Sequence, residues 1–177
     1  MDRAVSPLPG EDHECGECDF TYAQVGVPEA LSIVRAVPDR ARSTALLAAD
    51  PRRRPEPDVW SVLECVCHLR DVYVTSTIRL HRVRTEDDPA LEPMLNDLRT
   101  RRFRHNELDL LAVLAELALV VDGFGDEVAR VKDDRWTRTA TRLPGERRTA
   151  LWFVRNAAHE GVHHVRDIAQ VASNTEP

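Results

Sequence analysis

The sequence predicts an all-α protein: a four-helix bundle with one long crossover connection and an irregular N-terminal arm. Three observations carry that expectation. Four long segments place apolar residues at helical spacing, none shows the alternation of a half-buried strand, and a polar, proline-broken stretch separates the second helical segment from the third. At 177 residues, 42% hydrophobic and 31% charged, the chain is sized for one domain that buries a core without disulfides.

Residues 1–26 carry Pro, Gly, acidic residues and one Cys-x-x-Cys with little apolar periodicity, and read as the arm; the bundle is expected over 27–173. PEALSIVRA and PDRARSTALLAA supply the first helical segment, with Pro28 in its first turn and Pro38 restarting or kinking it. DPRRRPEP, with three prolines in eight residues, is a loop. DVWSVLECVCHLRDVYVTSTIRLHRV, with Asp58 as N-cap, is the second helix. TEDDPALEPMLNDLRTRRFRH is the crossover, in which LNDLRTRRF forms a short helix. Asn106 is expected to cap a third helix through ELDLLAVLAELALVVDGFGDEVARV, weakened by Gly123 and Gly125. A turn-rich linker, WTRTATRLPGERR, leads to Thr149, which caps the fourth helix, ALWFVRNAAHEGVHHVRDIAQVA.

A net charge of -6 and the lack of a basic recognition helix argue against nucleic acid as a partner. The arginines at 52–54 and at 99, 101, 102 and 104 read as solvated surface charge that could hold a small anion. The start of the chain, MDRAVSPLPGEDHECGECDF, lacks a secretory signal pattern, and LLAVLAELALVV, interrupted by Glu116, is too short to span a bilayer. A cytoplasmic protein without membrane association is therefore expected. Basic charge rests almost wholly on arginine, with Lys132 the only lysine, a bias associated with GC-rich genomes.

HEGVHH puts three of the seven histidines into residues 159–164. His159 and His163 lie about 40° apart around a helix and one turn apart along it, so they can offer two imidazoles to one ion. His164 stands about 100° round from His163 and about 140° from His159. That leaves His164 for a hydrogen bond beside the site, for substrate, or for moving a proton. His68, among the apolar neighbours of WSVLECVCHLRDV, is the expected third ligand, and three protein ligands leave a coordination position open, as in a catalytic site. Asp71 and Asp167, one turn beyond His68 and His163, are candidate acceptors behind those rings, with ion pairs to neighbouring arginines as the alternative. CHLRDV and HHVRDI echo one another with His68 matching His164, but the shared face of His159 favours His163. Tyr73 is a candidate proton carrier, and Arg79 or Arg82 could hold an acidic thiol.

Cys15 and Cys18 form CGEC; Cys65 and Cys67, two apart on a helix, face nearly opposite ways and cannot share an ion. One of that pair is a candidate to join Cys15 and Cys18 in a second metal site. Cys67 reads as a small packed hydrophobe.

WSVLECVCHLRD on the second helix and HEGVHHVRDI on the last together resemble the DinB/YfiT-like superfamily, over roughly residues 28–172. The resemblance implies a four-helix bundle holding a divalent ion, zinc first, with nickel or iron as alternatives. Its three histidine ligands map onto His68, His159 and His163. It also implies transfer of a low-molecular-weight thiol, bacillithiol or mycothiol, to an electrophilic small molecule. Cys-bearing starts among actinobacterial members of the family, with the arginine-rich composition, point to mycothiol. The family's maleylpyruvate isomerases carry a C-terminal domain this chain lacks, and its ergothioneine-synthesis iron enzymes have H-x3-H-x-E where Val165 stands here. The leading expectation is thus a metal-dependent thiol S-transferase. The alternatives are a hydrolase or lyase that activates water, and a non-catalytic metal-containing binding or scaffold protein. A homodimer is compatible with exposed helical faces.

Overall fold

Four long helices pack in a ring. The computed structural model describes residues 7–173, with α1 over Val27–Ala45, α2 over Val62–Thr85, α3 over Asn96–Arg102, α4 over Leu110–Ala129 and α5 over Ala150–Ser173. Both α1 and α2 pack against α4 and α5, whereas α1 and α2 touch only lightly. Successive helices α1 and α2 are therefore diagonal partners, and α5 fits between them.

The sequence explains the starts of α2, α4 and α5. Ser61 caps α2, its hydroxyl accepting from Glu64 N at 3.2 Å while Glu64 Oε2 accepts from Ser61 N at 2.9 Å. The Arg54 guanidinium forks onto the same carboxylate at 2.8 and 2.5 Å, which makes the buried Glu64 tolerable. The cap is thus Ser61 rather than Asp58, because only Ser61 has a glutamate three residues on. Asp109 caps α4 by accepting from Ala112 N at 2.8 Å. Asn106, the expected cap, instead accepts from Ser61 Oγ and donates to the Arg52 carbonyl, tying the crossover to the start of α2. Thr149 caps α5 as expected, accepting from Trp152 N at 3.1 Å. Pro38 lies inside a continuous α1, whose buried stripe of Ala30, Val34, Val37, Ala41 and Ala45 holds the helix together across it.

The linker expected to lack strands contains two: β1, Thr139–Thr141, pairs antiparallel with β2, Arg147–Thr149, through a turn at Gly145, where φ is +82°. At three residues each the strands are too short to show periodicity in sequence. Leu91 N donates to the Thr141 carbonyl and Thr141 N to the Pro89 carbonyl, so the hairpin also anchors the crossover.

Gly161 fixes how closely α5 approaches its neighbours. A Cβ there would stand 2.5 Å from Tyr73 Oη on α2 and 2.6 Å from Val37 Cγ2 on α1. The arm lies along α5: Trp152 Nε1 donates to the Gly10 carbonyl at 3.0 Å, Glu11 accepts from Thr149, and Tyr22 is wholly buried. No helix among the described residues is long and apolar enough to cross a membrane.

Candidate metal centre

HEGVHH contains two pairs four residues apart, His159 with His163 and Glu160 with His164, on adjacent faces of α5 about 100° apart. The structure turns the two faces to different partners. Glu160 and His164 face α2, where they meet His68; His159 and His163 face the arm, where they meet Cys15 and Cys18. The expected trio of His68, His159 and His163 is therefore divided between two groups. His159 and His163 do share one face, as their spacing predicts, but that face meets Cys15 and Cys18 of the arm and not His68. The echo between CHLRDV and HHVRDI was the sequence signal that pairs His68 with His164.

In the first group the donor atoms converge. His68 Nε2 is 3.7 Å and His164 Nε2 3.3 Å from Glu160 Oε2, and the two rings meet edge to face with centroids 4.5 Å apart. Two imidazoles and a carboxylate around a tetrahedral ion with bonds of about 2.0–2.2 Å would place N and O about 3.4 Å apart, so the observed separations fit. His164 Nδ1 lies 2.8 Å from Asp167 Oδ2, the carboxylate–histidine arrangement that presents the other nitrogen to a metal. Trp60 packs on His68 with centroids 4.9 Å apart and holds its ring.

The electrostatics call for a cation at this point. Burial, and next the neighbouring His164, lower the pKa of His68 and disfavour the protonated ring. Burial opposes ionisation of Glu160, but hydrogen bonds from His164 and His68 outweigh it and hold the carboxyl well below its ordinary range. Burial likewise opposes charge on His164, yet Asp167 and Glu160 lift it to about 9. Without a metal, a proton on His164 supplies the positive charge that the two carboxylates demand.

A cavity of about 940 Å³ opens against this group, with His68, Glu160 and Asp167 in its wall. Arg79 and Arg142 line it too, as do crossover residues 93–98. Arg142 is paired with Glu146 at 2.7 Å, while Arg79 donates to the Glu92 carbonyl; burial, then Arg142, lower Arg79 to about 10, still a cation at neutral pH.

Other expected residues lie elsewhere. Tyr73, about 140° round α2 from His68, is wholly buried and donates to the Ala157 carbonyl at 3.2 Å, so it supports α5 from the core and does not face the cavity. Asp71 accepts from Arg70 and Arg99 and stands 3.5 Å from His105 Nε2, fastening α2 to α3 and the turn after it rather than backing His68. Arg82 forks onto Glu86 and donates to the Ala90 carbonyl. Cys65 and Cys67 are both buried; Cys65 is held up as a thiol by burial, and Cys67 is pushed up to about 12 by the same cause. Glu160 is a donor not expected from the histidine pattern, although it stands four residues before His164, the same spacing as His159 and His163.

YfiT from Bacillus subtilis has a similar structure, with a TM-score of 0.78 at 16% identity, covering 96% of this chain and 94% of that one. That protein is described as a probable metal-dependent hydrolase with an unusual four-helix bundle topology. No curated protein matches the chain. The family model of the DinB superfamily matches residues 36–168, and the chain belongs to that superfamily.

Proposed function

We propose that the chain is a metal-dependent enzyme in which His68, Glu160 and His164 hold one divalent ion and present it to a small-molecule cavity. The observation that carries this reading is the convergence of three donor atoms from two helices, two of them, from His68 and Glu160, on residues in the wall of a cavity of about 940 Å³. A cation bound there would favour the deprotonated form of a thiol or water entering its open position.

The chain's own residues divide the remaining work. Asp167 fixes the His164 tautomer and ring orientation. Arg79 places a guanidinium in the cavity wall that suits a carboxylate or phosphate on the substrate or thiol. Trp60 and crossover residues 93–98 shape the cavity wall. In the favoured reaction a low-molecular-weight thiol, mycothiol by family resemblance, loses its proton. Its sulfur then forms a bond to an electrophilic carbon, and the leaving group departs with the electron pair of the bond that breaks. The cavity has room for both reactants. The donor set, two histidines and one glutamate, also occurs in zinc hydrolases, which supports water as the second candidate nucleophile.

The test incubates zinc-loaded protein with a haloaromatic electrophile, with and without mycothiol or glutathione, beside an ester substrate without thiol. Product formation that requires thiol and disappears in His68→Ala and Glu160→Ala supports thiol transfer. Ester turnover without thiol, lost in the same variants, would replace it with hydrolysis. Turnover of neither substrate would favour a non-catalytic metal-containing protein.

A further inference from the structure

The metal-activating group leaves unused the motif at the other face of α5. Cys15, Cys18, His159 and His163 each offer a donor atom, all within 4.8 Å of one another. The four come from the arm and from α5, in the spacings C-x2-C and H-x3-H that structural zinc sites use.

Hydrogen bonding fixes which atoms face inward. The Tyr22 hydroxyl gives its one proton to Asn156 Oδ1 at 3.0 Å, so its 3.1 Å contact with His159 Nδ1 takes that ring's proton. His159 Nε2 is left as a bare lone pair, fully buried and without a hydrogen-bond partner among the described residues, on a ring that is 8% exposed. A buried polar atom left unsatisfied is costly, and a metal ion would satisfy it. His163 is arranged in complement: Nδ1 lies 3.6 Å from Cys15 Sγ, while Nε2 faces Glu17 Oε2 at 3.4 Å and Asp167 Oδ2 at 3.7 Å. A tetrahedral ion with bonds of about 2.3 Å to sulfur and about 2.0–2.1 Å to nitrogen would set those donors about 3.6 Å apart.

The arm is folded for the purpose. Cys15 N donates to the Phe20 carbonyl, Asp19 N to the Cys15 carbonyl and Tyr22 N to the His13 carbonyl, closing a tight loop around CGEC. No disulfide joins any of the four cysteines.

We propose that Cys15, Cys18, His159 and His163 form a second, closed tetrahedral site for a divalent ion, zinc by its donor set, which fastens the arm to α5. With all four positions filled by protein atoms the site is structural rather than catalytic. Its ligands are distinct from those of the nucleophile-activating site, but Asp167 touches His163 of one site and His164 of the other. Filling the closed site therefore helps hold the carboxylate that orients the open one.

The test uses untagged full-length protein loaded with cobalt(II). A sulfur-to-cobalt charge-transfer band is expected in the wild type and in His68→Ala, and is expected to vanish in Cys18→Ser. In the wild type alone, a chelator should remove the band and make two additional thiols titratable without unfolding the bundle, so the result does not depend on the variant folding. Absence of the band would overturn the proposal, as would its loss in His68→Ala but not in Cys18→Ser, or recovery of Cys15 and Cys18 as a disulfide from protein folded with metal. Because the His68, Glu160 and His164 group contains no sulfur, failure of that site leaves the band unchanged.

Discussion

Two faces of one helix, about 100° apart, carry the same four-residue spacing and different chemistry. The Glu160 and His164 face meets a single histidine and a cavity, whereas the His159 and His163 face meets two cysteines and a buried tyrosine. The first has three donors and room for a fourth from outside; the second has four donors of its own, with only His163 among them also lining the cavity. Spacing along a helix therefore states how many ligands can share an ion, but the neighbours of each face decide whether the ion is available to substrate.

The sharpest way to break the comparison is to delete a donor from one face and count ions by mass spectrometry. His68→Ala should abolish the sulfur-free equivalent and leave the sulfur-bound one; loss of both would make the faces a single site. Asp167→Asn touches both faces through one side chain. It should weaken the open site about 10–100-fold, as loss of a carboxylate behind a ligating histidine does, and the closed site less, because His163 Nε2 keeps Glu17. Competition with a chromogenic chelator measures both.

Gly161→Ala tests the backbone that aims the two faces. Its methyl would press on Tyr73 and Val37, so unfolding in urea should show a loss of about 1–3 kcal/mol, and both sites should bind more weakly. Arg79→Gln is the gentlest probe. It should raise KM for an anionic substrate about tenfold with kcat little changed, while metal content stays at the wild-type level.

Much of this was legible in the sequence, and the failures have physical causes. The helices were visible because apolar periodicity over twenty residues is a strong signal, while β1 and β2 are too short to produce one. The capping residues were misplaced at Asp58 and Asn106 because any polar residue before an apolar run looks like a cap. Only the side-chain reach of Glu64 to Ser61 and the bond from Ala112 to Asp109 decide it. His68 and the HEGVHH segment were found from residue type alone. Their partition was not, since a sequence gives the angles between side chains on α5 but not which face looks at α2. The Cys-x-x-Cys spacing of the arm marks a candidate second site, yet its partners, 141 or more residues away in sequence, become apparent only once Trp152 and Glu11 have laid the arm along α5.

The most direct test of the central claim is anomalous diffraction at the zinc edge from crystals of zinc-loaded protein. The account predicts a peak bounded by His68 Nε2, Glu160 Oε2 and His164 Nε2 that faces the cavity. A peak bounded by His68, His159 and His163, or none at His68 in protein saturated with zinc, would contradict it.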